Sequence, residues 1–338
     1  MRGSSPLGST IFRRASVVCA FALALSACSG HEESAPHRVV SRAPQPAPPY
    51  DARQPAAAAV LDLVPQSATV ITVTDWDAVR VQLGQPELTS ESLMSDRNEF
   101  WRREETESPA LTQGMLREDG SEYELDYGFT QDDVDWEAHW TGPDGPGWAL
   151  AFRPDLDLTG VRQAIDHEVG PLANGHLDAA DHLVVRGTSA TDVWGNEPGW
   201  APLVADDAEA TYLRRGCVPL DEALGPDATA EDQDRLLARH PITLTLRPLA
   251  GFAIGFGDHN ATVRMAPGQP DLFERLDVAR DWPVPDFGRA WRSPVGDPGS
   301  GRMGYSLPDP PRAVALALTG ELPFAVCNEV TPRAVPTG

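Results

Sequence analysis

Apolar and polar residues alternate most cleanly over 134–141, "VDWEAHWT". Val134, Trp136, Ala138 and Trp140 fall on one side, with Asp135, Glu137, His139 and Thr141 on the other. That is the period of a half-buried strand. The turn cluster "GPDGPG" (142–147) and the apolar "WALAFR" (148–153) complete a hairpin. "SATVITVTDW" (67–76) is short and β-branched and predicts another strand, followed by a short helix over 77–84 that Gly84 ends. Residues 99–117 are helical in pattern but broken at Pro109, which predicts two short pieces. Over 157–170, Leu158, Val161, Ala164 and Ile165 share one side of a helix that stops near Gly170. "HLVVRG" (182–187) reads as a strand.

The second half reads similarly. Strands are predicted at 209–216, 242–248, 251–257, 261–266, 302–307 and 313–318, with "PFAVC" (323–327) after them. Helices are predicted at 219–225, at 228–240 with Thr229 as N-cap and Asp232 at N3, and at 270–282 with Pro270 near the start. "WALAFRPDLDLTGVRQAI" can be laid beside "ATVRMAPGQPDLFERLDVA". The pattern predicts an α+β fold, a mainly antiparallel sheet with helices packed on one face, built as two related halves at 59–190 and 191–330 with a disordered tail over 331–338.

Composition narrows the chemistry. The 338 residues carry a formal charge of −23. Residues 1–28 hold three arginines and no acid, so the remainder carries −26. A surface that negative repels nucleic acid and anionic headgroups alike. All 27 basic residues are arginine. The absence of lysine excludes a P-loop, a Schiff-base cofactor lysine and a Ser-Lys hydrolase. No cofactor is expected.

Arg2, Arg13 and Arg14 precede 13 uncharged, mostly apolar residues, Ala15 to Ala27. A spanning helix needs about 20, so the run fits a secretory signal. It ends Leu25-Ser26-Ala27-Cys28. These residues resemble the lipobox of bacterial lipoprotein signal peptides. The resemblance implies cleavage of residues 1–27, a diacylglyceryl group on Cys28, and anchoring of an exported protein to the outer face of the cell membrane through the lipid bilayer. Residues 28–58, rich in proline and alanine, then read as a disordered tether of up to about 90 Å. The chain also resembles exported actinobacterial lipoproteins of unknown function that open with a strand–helix unit, matched here by Leu63-Val64-Pro65 through Thr74-Asp75-Trp76. With Cys19 and Cys28 assigned to export, Cys217 and Cys327 are left to form a disulfide in an oxidising compartment.

Candidate chemistry is sparse. "GSGRMG" (299–304) matches a dinucleotide fingerprint but lacks the strand before it and the helix after it, so it reads as a loop. Asp135, Glu137 and His139 share one strand face, which reads as solvated rather than metal-binding. Trp136, Trp140 and Trp148 suggest a sugar platform, but alternation assigns the first two to a core. Asp155 and Asp157 lack the spacing of a calcium loop, and Asp157 suits a helix start. The expectation is a non-catalytic domain that binds a small-molecule ligand or an envelope protein. The alternatives are a hydrolase whose carboxylates come from distant loops and an acidic structural surface protein.

Overall fold

The alternating segment at 134–141 forms strand β2 (Val134–Thr141), paired through the 142–146 turn with β3 (Gly147–Phe152). The computed structural model describes residues 43–204, 207–265 and 269–331. The leader, Cys28 and most of the 331–338 tail lie outside them. The remaining strands are β1 (Val70–Asp75), β4 (His176–Asp178), β5 (Leu183–Arg186), β6 (Ala210–Arg215), β7 (Gly251–Gly257), β8 (Asn260–Met265), β9 (Arg292–Asp297) and β10 (Arg302–Ser306). They form one antiparallel sheet in the order β4-β5-β3-β2-β1-β6-β7-β8-β10-β9.

That order repeats itself. Reading outward from the centre, β1-β2-β3-β5-β4 on one side matches β6-β7-β8-β10-β9 on the other. Thr72 faces Tyr212 across the central β1–β6 pair, and Val70↔Arg214 is mirrored by Thr74↔Ala210. The strand pattern restarts at Ala210, not at 191. Residues 191–204 are tied back to the first half, where Trp194 N donates to Val64 O at 3.0 Å and Trp194 Nε1 to Ala68 O at 3.2 Å.

Side-chain alternation divides the sheet into two faces. Tyr212, Phe252, Ile254 and Val263 face the helices of the second half, and Val134, Leu150, Phe152 and Val184 face those of the first. Ile71, Val73, Trp136, Ala138, Trp140, Leu213 and Ala253 point the other way. There they meet the short helix Ala56–Val60 and the Trp194–Val204 segment. Most helices therefore pack on one face, and the short helix Ala56–Val60 with the Trp194–Val204 segment takes the other. Residues 44–58, expected as tether, run along the domain: Pro46 bridges Thr191, and Ala47 N donates to Ala190 O at 2.9 Å. Burial of Ala56 and Ala57 holds this end down.

Two expected strands are helical. Asp309 accepts Arg312 N at 3.1 Å, and Pro310-Pro311 supply the preset φ of a first turn, so 313–318 continues the helix Pro310–Leu318. At Ile242–Thr245, Ile242 and Leu246 are buried while Leu244 is exposed, a spacing of four rather than two. Residues 323–325 make a single 3₁₀ turn. The expected break at Pro109 is present, since the helix Met94–Glu107 ends at Ser108, but the expected second piece, 110–117, is bends and turns rather than helix.

Candidate functional site

Strand β7, "GFAIGFG", has two unlike sides. Phe252, Ile254 and Phe256 enter the helix-side core. Gly251, Ala253, Gly255 and Gly257 form a row on the opposite face. At Gly251 that smallness admits Trp200, because a Cβ there would lie 2.4 Å from the indole. At Gly255 a Cβ would meet only Ala208, at 3.5 Å. A groove of about 600 Å³ opens there over Gly255, Gly257, Thr211, Thr262 and Arg264.

The groove sits where the two halves meet. One wall is the helix Trp76–Gln82 with Asp77 and Val81; another is the turn after β7. Asp75 ends β1 and accepts Ala78 N at 2.9 Å, capping that helix. Burial pushes its carboxyl up to about 6 against the opposing pull of the Ala78 N–H, with Asp77 adding to the rise. Glu209, just before β6, is buried and accepts Asp258 N at 2.7 Å. Burial raises its pKa as well, and the Asp258 N–H opposes the rise. The backbones of the two residues meet, Asp75 N donating to Glu209 O at 2.9 Å. The cation of the groove, Arg264, is buried opposite Arg302 on β10, and burial and Arg302 both lower its pKa. Among the described residues no cluster of three or more His, Cys, Asp or Glu could hold a metal ion.

The residues singled out from sequence lie elsewhere. Glu137 and His139 are on the helix-facing side, and Glu137 is wholly buried rather than solvated. Its carboxylate meets His139 Nε2 at 2.6 Å, Thr112 Oγ1 at 2.6 Å, Met115 N at 3.0 Å and Gln131 Nε2 at 3.1 Å. The cluster pins the 112–116 loop to the sheet. Asp135 lies 3.5 Å from Arg80 and is separate from the Glu137 cluster. Trp136 and Trp140 are buried against the short helix, and Trp148 on the opposite face. "GSGRMG" turns β9 into β10. Asp157 accepts Thr159 N at 3.0 Å at a helix start, and Asp155 pairs with Arg153 at 2.7 Å. Cys217 and Cys327 are disulfide-bonded. The groove residues escape motif reading because Gly255, Thr211 and Thr262 carry no signature. The one usable signal was the glycine side of "GFAIGFG".

Three carboxyls, Glu104 buried and Asp75 and Asp135 half-buried, set a pH dependence. Burial raises Asp75 to about 6, Asp135 to about 7 with Asp77 adding, and Glu104 to about 7 against the pull of Arg117. Unfolded, each titrates near 4. Between about pH 4 and 7 the native state therefore binds more protons, and stability falls as pH rises through that window. We expect a higher Tm at pH 5.5 than at pH 8 by calorimetry, with a shallower decline in Glu104→Gln. A Tm that climbs toward pH 8 contradicts this.

No known protein-family model matches this sequence, and no curated protein matches it. Among solved structures, crystal form I of TP0453 is similar at a TM-score of 0.34 and 8% identity, over 80% of this chain and 100% of that one. A likeness that distant carries no argument about fold or function.

Proposed function

We propose that this chain is an exported protein, anchored to the bilayer by lipid on Cys28, whose α+β domain holds a polar small molecule without turning it over. The supporting observation is the groove at the junction of the halves. Its size suits a small ligand, and its polar floor and acidic rim suit hydroxyl- or amine-bearing compounds. The two perturbed carboxyls are already engaged by backbone N–H groups, Asp75 by Ala78 and Glu209 by Asp258. That engagement favours structural over catalytic roles. The anchor rests on the Leu25–Cys28 sequence alone.

The test is a thermal-shift screen of monosaccharides, oligosaccharides and primary amines. A ligand at a hundred times its Kd should raise Tm by about 5–10 °C. Gly255→Leu fills the floor, where a Cβ has room, and should remove the shift. A screen without any such shift counts against the reading. So does Cys28→Ser that remains in the membrane fraction. A hydrolase remains the second reading, because Asp75 and Glu209 bring two raised carboxyls into one groove. Release of product from an oligosaccharide, lost in Asp75→Asn, would favour it.

A further inference from the structure

A second cavity, of about 350 Å³, lies on the helix side beside edge strand β9, at the helices Leu272–Arg280 and Pro285–Ala290. Its wall is aromatic. Phe287 and Trp291 stack at 5.7 Å with their planes 10° apart, and Tyr305 meets Trp291 edge-on at 5.3 Å. Trp291 and Tyr305 are 2% and 3% exposed. Neither the indole Nε1–H nor the tyrosine hydroxyl finds a hydrogen-bond partner among the described residues. Burying one such donor unmet is costly. Both donors belong to residues that line the cavity.

The rest of the lining says what kind of acceptor. Arg280 and Arg292 border the cavity, and its described lining holds no carboxylate. In a chain of net charge −23, that is a local reversal of sign. Arg280 pairs with Asp277 on its own helix, but that pair is exposed and weakly held. Gly288 completes the wall, and a Cβ built there meets nothing within 4 Å.

We propose that this cavity binds a small organic acid with an apolar body. The body lies against Phe287 and Trp291, the anionic head is drawn by Arg280 and Arg292, and its acceptor oxygens satisfy the buried donors of Tyr305 and Trp291. The site is separate from the groove and does not depend on it.

Calorimetric titration of the oxidised full chain with 2-naphthoate tests this. One saturable equivalent is expected, and the cation 2-naphthylmethylammonium should not bind. Gly288→Leu adds bulk at the cavity wall, where a Cβ meets nothing within 4 Å, and should weaken binding at least about tenfold by taking space from the body. Tyr305→Phe should weaken it about fivefold, the worth of one net hydrogen bond. It should leave Tm unchanged or higher, because an unmet donor is removed. Gly255→Leu, in the groove, should leave 2-naphthoate binding unaltered, so failure here and failure of the groove are told apart. Equal binding by wild type and Gly288→Leu, equal binding of the cation, or no saturable binding in the millimolar range overturns the proposal.

Discussion

Replacing both bonded cysteines, Cys217→Ser with Cys327→Ser, should lower the unfolding free energy by about 2–5 kcal/mol. The bond closes a loop across a sequence separation of 110. In the unfolded chain that closure removes conformational freedom, and the effect grows slowly with loop length. In the native chain the bond joins the end of β6 to the last described segment. Val218 N donates to Ala325 O and Cys327 N to Val218 O, both at 2.8 Å. Arg275, fully buried, donates to Phe324 O at 3.2 Å and Val326 O at 3.0 Å. These native contacts survive the substitution, so most of the loss arises in the unfolded state. Tm should fall by about 5–15 °C. Wild type in reductant should match the double variant, and the double variant should not respond to reductant. If Tm is the same with and without reductant, the bond does not stabilise the domain.

The disulfide was legible because cysteine counting needs no fold. The hairpin of β2 and β3 was legible because a period of two writes itself into residue type: Trp136, Ala138 and Trp140 share one core. Where the two periods look alike, the reading failed. "AVALAL" alternates as well as any strand, yet Asp309 and the two prolines before it start a helix, and Ala313, Val314, Leu316 and Ala317 are buried. Local start signals outweighed alternation there. The expected solvated face of β2 failed for another reason. Sequence assigns polarity to a face but does not show what folds over it, and the 112–116 loop covers Glu137.

The groove was illegible for a stronger reason, since it is made of missing side chains. Trp200 covers Gly251 on β7, and the groove opens over Gly255 and Gly257. Its walls come from Asp75 and Asp77 on one side and Glu209 and Asp258 on the other, far apart in the chain. Only the antiparallel β1–β6 pair brings them together. The repeated strand order adds a constraint. The two halves share topology, but the Trp194–Val204 segment packs against Ile71, Ala138 and Leu213. Among the described residues, coverage of the non-helical face is thus unequal, and the groove is where it ends.

Glu137→Ala should cost about 3–5 kcal/mol, because it leaves buried partners of a charged group unpaired. Thr112, Met115, Gln131 and His139 all point hydrogen-bonding atoms at this carboxylate. Burial alone would raise its pKa; the His139 hydrogen bond and charge, helped by Thr112 and Met115, outweigh burial and hold it below the usual value. The sign is therefore opposite to that of Asp75, Asp135 and Glu104. Glu137 stabilises the fold above the unfolded carboxylate pKa and loses that contribution as pH falls through its own depressed value. Wild-type stability should form a dome: the raised carboxyls lower it from about pH 4 toward 7, and protonation of Glu137 lowers it below about pH 4. Glu137→Gln keeps the shape and removes the proton. It should be less stable than wild type at pH 5.5, and should flatten the acid limb while keeping the limb between pH 5.5 and 8. Melting curves for both proteins across that range decide the matter. An acid limb as steep in Glu137→Gln as in wild type would assign the acid sensitivity to other carboxylates.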